Sequence, residues 1–214
     1  MDKRVSGQQA SWRYATEQVT EPDPIARARA HSLELGIVPI DPAIGAQCAV
    51  LAAASDALNL VEIGTGAGVS GMWLLRGSAR GILTTIDAEP EHLAAARKAF
   101  ADAGIPPARA RFITGRAADV LPRMNESAYD IVLIDADPEH ILEYVAHGLR
   151  LVRVGGTVLI PRALQNGRVA DPVQRDPITS AFRSLIHETQ ESQAVIPALS
   201  IVGDGLLQLT KVTE

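Results

Sequence analysis

The stretch Leu58-Asn59-Leu60-Val61-Glu62-Ile63 runs straight into Gly64-Thr65-Gly66-Ala67-Gly68 and then into Met72-Trp73-Leu74-Leu75. An apolar run bounded by glycines and followed by apolar residues at helical spacing reads as strand, tight turn, helix. Such a junction belongs to an alternating βα chain, in which strands pair in parallel because a helix returns the chain between them. The rest of the sequence repeats the pattern. A second strand, Gly81 to Ile86, ends at Asp87 and precedes a helix opened by Pro90 and closed by Gly104. A short strand from Ala110 to Thr114 leads to a short helix, Gly115 to Leu121. Tyr129-Asp130-Ile131-Val132-Leu133-Ile134 is almost continuously apolar, as strands in the middle of parallel sheets are.

A helix through Ile141, Tyr144, Val145 and Leu149 ends near Val154-Gly155-Gly156, and Thr157 to Ile160 forms a fifth strand. After a loop over Arg168 to Asp176 comes a helix from Ile178 to about Thr189. The last two strands, Ala194 to Leu199 and Leu206 to Val212, flank Gly203-Asp204-Gly205 and leave no room for a crossover, so they form an antiparallel hairpin. Upstream, Thr20 to Pro24 starts a helix towards Leu35 and Gly36. Asp41-Pro42 is the N-cap and first position of another, whose run from Ala46 to Ala54 is expected to be largely buried. Residues 1–20 are read as an N-terminal arm carrying Trp12 and Tyr14, and residues 21–214 as a single domain.

Composition removes several classes of function. Twenty Lys and Arg against 25 Asp and Glu give a net charge of −5, which offers no footprint for nucleic acid or an anionic membrane. With aromatics at 4%, base-stacking platforms are not expected. The single Cys48 allows no internal disulfide and no cysteine-based zinc cluster. No run reaches the roughly 18 apolar residues of a membrane helix, and the first 20 residues lack a signal-peptide core. The expectation is a cytoplasmic protein acting on a small molecule.

In open parallel sheets, ligands lie outside the carboxyl ends of the strands near the point where strand order reverses. Residues just after strands are therefore the informative ones. Gly64 to Gly68 follows the first strand, Asp87 ends the second, and Asp135-Ala136-Asp137 ends the fourth. A carboxylate after the second strand can accept hydrogen bonds from ribose hydroxyls, which points to an adenosine-containing cofactor. Gly66 to Gly71 spells a literal G-x-G-x-x-G, so a nicotinamide cofactor and a dehydrogenase are one alternative. In the register set by the strand end, however, the third glycine falls on Val69, and Glu62 would repel a pyrophosphate. S-adenosylmethionine carries a sulfonium and an ammonium and no phosphate, and carboxylates suit it.

The runs Val61 to Ser70, Thr85-Ile86-Asp87, Tyr129 to Asp137, Leu151 to Gly156 and Gly203-Asp204-Gly205 resemble the class I S-adenosylmethionine-dependent O-methyltransferases of the caffeoyl-CoA and catechol type. The likeness covers residues 36–212. It implies a Rossmann-like α/β fold: a seven-stranded, mostly parallel sheet with helices on both faces and a homodimer in which the N-terminal segment covers the substrate. By the same resemblance Glu62, Gly64, Thr65, Gly66 and Ser70 hold the methionine part of the cofactor and Ile40 lines that end. Asp87 binds the ribose, Ala88, Arg116 and Ala117 border the adenine, and Asp135 and Asp137 lie beside the sulfonium. Asp135 and Asn166 face the methyl acceptor, and S-adenosylhomocysteine is the product.

Departures from the family pattern are equally informative. Family members continue Asp-Ala-Asp with lysine and place Asp-Asn after the fifth strand, where it completes a divalent-metal site with the first Asp. Here those positions hold Pro138 and Pro161-Arg162. One carboxylate is too few for magnesium or calcium. A metal-free site is expected, with Arg162 forking onto Asp135 in the cation's place. Asp135, Arg162 and His140 are the candidate catalytic groups, acting on a small hydroxylated, aromatic acceptor. The lost ligands also leave open a non-catalytic S-adenosylmethionine-binding protein. Asp137 doubles as a helix-start carboxylate, Cys48 is expected in the core, and His31, His92, His147 and His187 are read as surface residues.

Overall fold

The computed structural model describes residues 3–213. Seven strands form one sheet in the order β3-β2-β1-β4-β5-β7-β6. β1 (Asn59–Ile63), β2 (Ile82–Asp87), β3 (Ala110–Thr114), β4 (Tyr129–Ile134) and β5 (Val152–Pro161) are parallel, and β7 (Leu206–Lys211) runs antiparallel between β5 and β6 (Val195–Ser200). Strand order reverses between β1 and β4, so the ligand crevice is expected over those two ends.

Each central strand divides its apolar side chains between two cores, as the two-residue period of a strand dictates. Leu60, Ile131, Leu133 and Leu159 point to one face, where they meet α2 (Asp23–Glu34), α3 (Pro42–Ala54), α4 (Val69–Gly77) and α5 (Pro90–Asp102) through Ile25, Cys48, Trp73 and Phe100. Val61, Ile63, Val132 and Ile134 point to the other, against α6 (Ala117–Val120), α7 (Ile141–Leu151) and α8 (Pro177–Glu191) through Ala117, Tyr144 and Phe182. Trp73 is buried at 3% exposure, and its indole N–H donates to Glu21, which also takes a two-pronged bond from Arg29. The start of α2 is thereby tied to α4, although Thr20 provides no cap: the residue before α2 is Pro22, without a side-chain capping bond.

Three expectations change in detail. The arm contains a helix, α1 (Lys3–Glu17), on which Trp12 and Tyr14 are exposed. α3 is capped by Asp41 as expected, its carboxylate accepting the Ala43 N–H at 2.8 Å, but Val50, Ala53 and Ala54 face outward. An apolar run of that length has more sides than the sheet can cover. β5 begins at Val152 rather than Thr157, because Val152 already pairs with Tyr129 before an irregularity in register near Gly155-Gly156. Among the described residues, no helix is long and apolar enough to cross a membrane.

Candidate active site

At the carboxyl ends of β1, β2 and β4 lies a cleft of about 440 Å3. Its floor is the glycine turn. Gly64 has φ of +93°, and a Cβ there would collide with the Asp135 carbonyl oxygen, so only glycine lets β1 pass this close to β4. The Asp135 N–H donates to the Ile63 carbonyl at 2.8 Å, which locks the two strand ends together. Opposite the turn stands the segment from Ile37 to Ile40, with Ile40 itself buried.

Asp87 closes the β2 side. Its Oδ2 accepts the Gly66 N–H at 2.9 Å and its Oδ1 the Glu89 N–H at 3.0 Å, with His92 Nδ1 at 3.2 Å. A carboxylate has about four acceptor positions, so ribose hydroxyls can still be served. Under the turn, a relay of hydroxyls runs from Thr65 to Thr85 at 2.6 Å and from Thr85 to Glu62 Oε2 at 2.6 Å. Glu62 is fully buried, and its Oε1 has no partner among the described residues. Burial pushes the Glu62 carboxyl up to about 8, against the pull of the Ser70 and Thr85 hydroxyls, with Asp135 and Asp87 adding repulsion. One oxygen of a buried acid beneath the cleft is thus left without a hydrogen-bond partner among the described residues.

The β4 end carries the other pair. Arg162 Nη2 lies 2.7 Å and 2.6 Å from the two Asp135 oxygens and Nε lies 3.1 Å from Oδ1, while Nη1 donates to the Val38 carbonyl at 3.0 Å. Arg162 sits in the left-handed region at φ of +57°, which costs a non-glycine residue on the order of 1 kcal/mol and is held by these four contacts. The expected fork of Arg162 onto Asp135 is present. The residues therefore do not suit a divalent ion at this place: the Arg162 guanidinium lies against both Asp135 oxygens and would repel it, and among the described residues no three His, Cys, Asp or Glu converge as metal ligands. Burial pushes the Cys48 thiol up to about 12, which leaves no thiolate chemistry in this core.

The cleft lining includes Ile40, Gly64, Thr65, Gly66, Ser70, Asp87, Ala88, Arg116, Ala117, Asp135, Asp137, His140 and Arg162, all expected from the sequence. Asp137 caps the turn that follows, accepting the Glu139 N–H at 3.0 Å. Glu62 lies below the lining, not in it. Asn166 lies outside the lining too, exposed on a loop, its backbone N–H bound to Asp204 at 2.7 Å and 2.8 Å. Gly71 is no part of a phosphate turn, since it packs within α4 against Leu83 and Phe100. His92 and Tyr144 line the cleft and were not expected there. Tyr144 stands four residues beyond His140, the residue that precedes α7, and their ring centroids lie 5.8 Å apart, a spacing the sequence does show.

A smaller recess of about 260 Å3 adjoins the cleft and shares Asp135, Ala136 and Arg162 with it.

Comparison with known proteins follows the same lines. A family model described as O-methyltransferase matches residues 23–212. A Mycobacterium tuberculosis protein named as a probable O-methyltransferase is 46% identical over 197 residues, covering 92% of this chain and 88% of its own. A crystal structure of a Corynebacterium glutamicum protein superposes with a TM-score of 0.88 at 31% identity, over 97% of this chain and 98% of that one. The O-methyltransferase TomG of Streptomyces achromogenes, solved in complex with SAM, has a TM-score of 0.83 at 24% identity over the whole of both chains.

Proposed function

This chain belongs to the O-methyltransferase family, and on that footing we propose that it moves the methyl group of S-adenosylmethionine onto an oxygen of a small hydroxylated, aromatic acceptor without a divalent metal. The observation that carries the reading is the pair of acidic side chains that line the cleft, Asp87 and Asp135, over a glycine turn. A cationic, phosphate-free adenosine compound suits that lining where a dinucleotide does not. The SAM-bound neighbour of the same fold supports the same choice.

When bound, S-adenosylmethionine supplies a methyl group already activated by its sulfonium. What remains for the chain is to align donor and acceptor and to manage one proton. Asp87 orients the ribose, the turn from Gly64 to Gly66 and Ser70 receive the methionine part, and Ala88, Arg116, Ala117 and His92 border the base. Asp135, held by Arg162, offers its carboxylate to the sulfonium side. His140, half-exposed on the cleft wall, is the group that can take a proton from a neutral acceptor hydroxyl. Arg162 replaces the cation that the family's Asp-Asn pattern would hold.

Calorimetry with S-adenosylhomocysteine, with NAD as control, tests the cofactor assignment: the first binds and the second does not. Turnover unchanged by a chelator and by added magnesium tests the metal-free reading. Stimulation by magnesium, lost in Asp135→Asn, would reject it.

A further inference from the structure

Resting on that cofactor assignment, we propose that His92 is a positioning residue for the cofactor: it acts through Asp87, fixing the plane in which that carboxylate meets the ribose hydroxyls. The last torsion of an aspartate side chain is broad and roughly two-fold, so the side chain's own preferences leave its carboxylate plane open. Hydrogens approach an sp2 oxygen best near that plane, so a carboxylate serves two adjacent hydroxyls well only when its plane is set by something else. Among the described residues Asp87 has three partners: the Gly66 N–H on Oδ2 at 2.9 Å, the Glu89 N–H on Oδ1 at 3.0 Å, and His92 Nδ1 on Oδ1 at 3.2 Å. The first two are backbone groups of the flanking turns. His92 supplies the side-chain contact.

The ring rides on a well-seated element. α5 buries Leu93, Ala96 and Phe100, and it lies so near the glycine turn that a Cβ on Gly68 would stand 2.8 Å from Phe100 and 3.1 Å from Ala96. His92 is the third residue of this helix, five residues beyond Asp87, and it lines the cleft. Its side chain is 30% exposed against 11% for Asp87, so it stands on the open side of the carboxylate. A carboxylate has no hydrogen to give, so Nδ1 carries the hydrogen of this bond whether the ring is neutral or protonated. Glu89, the residue before α5, has no side-chain capping bond of its own, and Asp87 therefore ties the helix start and the turn together. Without His92 each Asp87 oxygen keeps a single backbone donor. Ordering the carboxylate then falls to the ligand, and a site ordered in advance binds more tightly than one the ligand must order.

Calorimetry on the full chain tests this with two ligands, S-adenosylhomocysteine and its 2′,3′-dideoxyribosyl counterpart. His92→Ala is expected to weaken the first about fivefold, the size of one ordinary hydrogen bond, and to leave the second unchanged. His92→Asn, whose amide nitrogen falls near the place of Nδ1, restores most of the affinity, whereas His92→Gln, whose nitrogen falls near that of Nε2, does not. In an Asp87→Ala background His92→Ala has no further effect. The comparison of Asn with Gln keeps the test open if His92→Ala fails to fold. An equal loss for both ligands would mean that His92 serves the base or the fold and not the ribose, and it would overturn the proposal. So would a loss that persists in the Asp87→Ala background, restoration by Gln in place of Asn, or no loss in His92→Ala. Failure of the wild-type chain to bind S-adenosylhomocysteine would instead overturn the cofactor assignment beneath it.

Discussion

Asp87 reaches back to the Gly66 N–H, which donates to its Oδ2 at 2.9 Å across 21 residues of chain. One carboxylate thus shapes the turn and waits for the ribose. Removing it by Asp87→Ala costs charge-assisted bonds worth about 1.5 to 3 kcal/mol each. S-adenosylhomocysteine affinity should fall at least roughly tenfold by calorimetry, and an unchanged affinity would take Asp87 out of the site.

Glu62 gives a pH signature. Its pKa is raised on folding from 4.5 to about 8. Between those values the unfolded chain holds fewer protons than the folded one, so this residue makes stability fall as pH rises through the interval. The melting temperature of Glu62→Gln should therefore change less between pH 5 and pH 8 than that of the wild type, an interval of about the width just given. Parallel curves would show that Glu62 ionises freely in the folded state.

Asp130 gives the opposite slope at a place remote from chemistry. Its Oδ2 accepts the N–H groups of Leu58 and Asn59, each at 2.8 Å, and its Oδ1 takes Arg153 at 2.7 Å. These bonds hold the carboxyl below the usual carboxylate range despite burial that works against them. The contribution is present at neutral pH and is lost as pH falls through the acid range. Asp130→Ala strands two backbone donors and should cost about 3 kcal/mol in urea denaturation. S-adenosylhomocysteine affinity, measured well below the unfolding transition, should not move.

The outer face of α3 and the exposed Trp12 and Tyr14 motivate a symmetric dimer. Light scattering should give twice the chain mass of 22.7 kDa, and a mass that stays at one chain across a concentration series would exclude it.

Much of this architecture could be read from local chemistry. Asp41-Pro42 and Asp137-Pro138 cap helices because a carboxylate before proline at a helix start satisfies free N–H groups in any context. β4 was visible because a strand buried on both faces must be apolar throughout. The Arg162–Asp135 pair followed from two neighbouring strands ending side by side. What stayed hidden depends on distant packing. Nothing local in Val50 says that its side of α3 faces outward. The Asn166 backbone is claimed by Asp204, 38 residues on, and His92 enters the cleft only because α5 leans over β2.

Gly64 and Asp135 are pressed together backbone to backbone, with a ladder bond from Asp135 to Ile63 and another from Gly64 to Ile86. The two strand ends are therefore held to one another at the base of the cleft. On the opposite wall, the Ile37–Ile40 segment is fastened to this base by the Arg162 bond to Val38. The same arginine that closes the electrostatic gap at Asp135 thus also ties the facing wall to the strand ends.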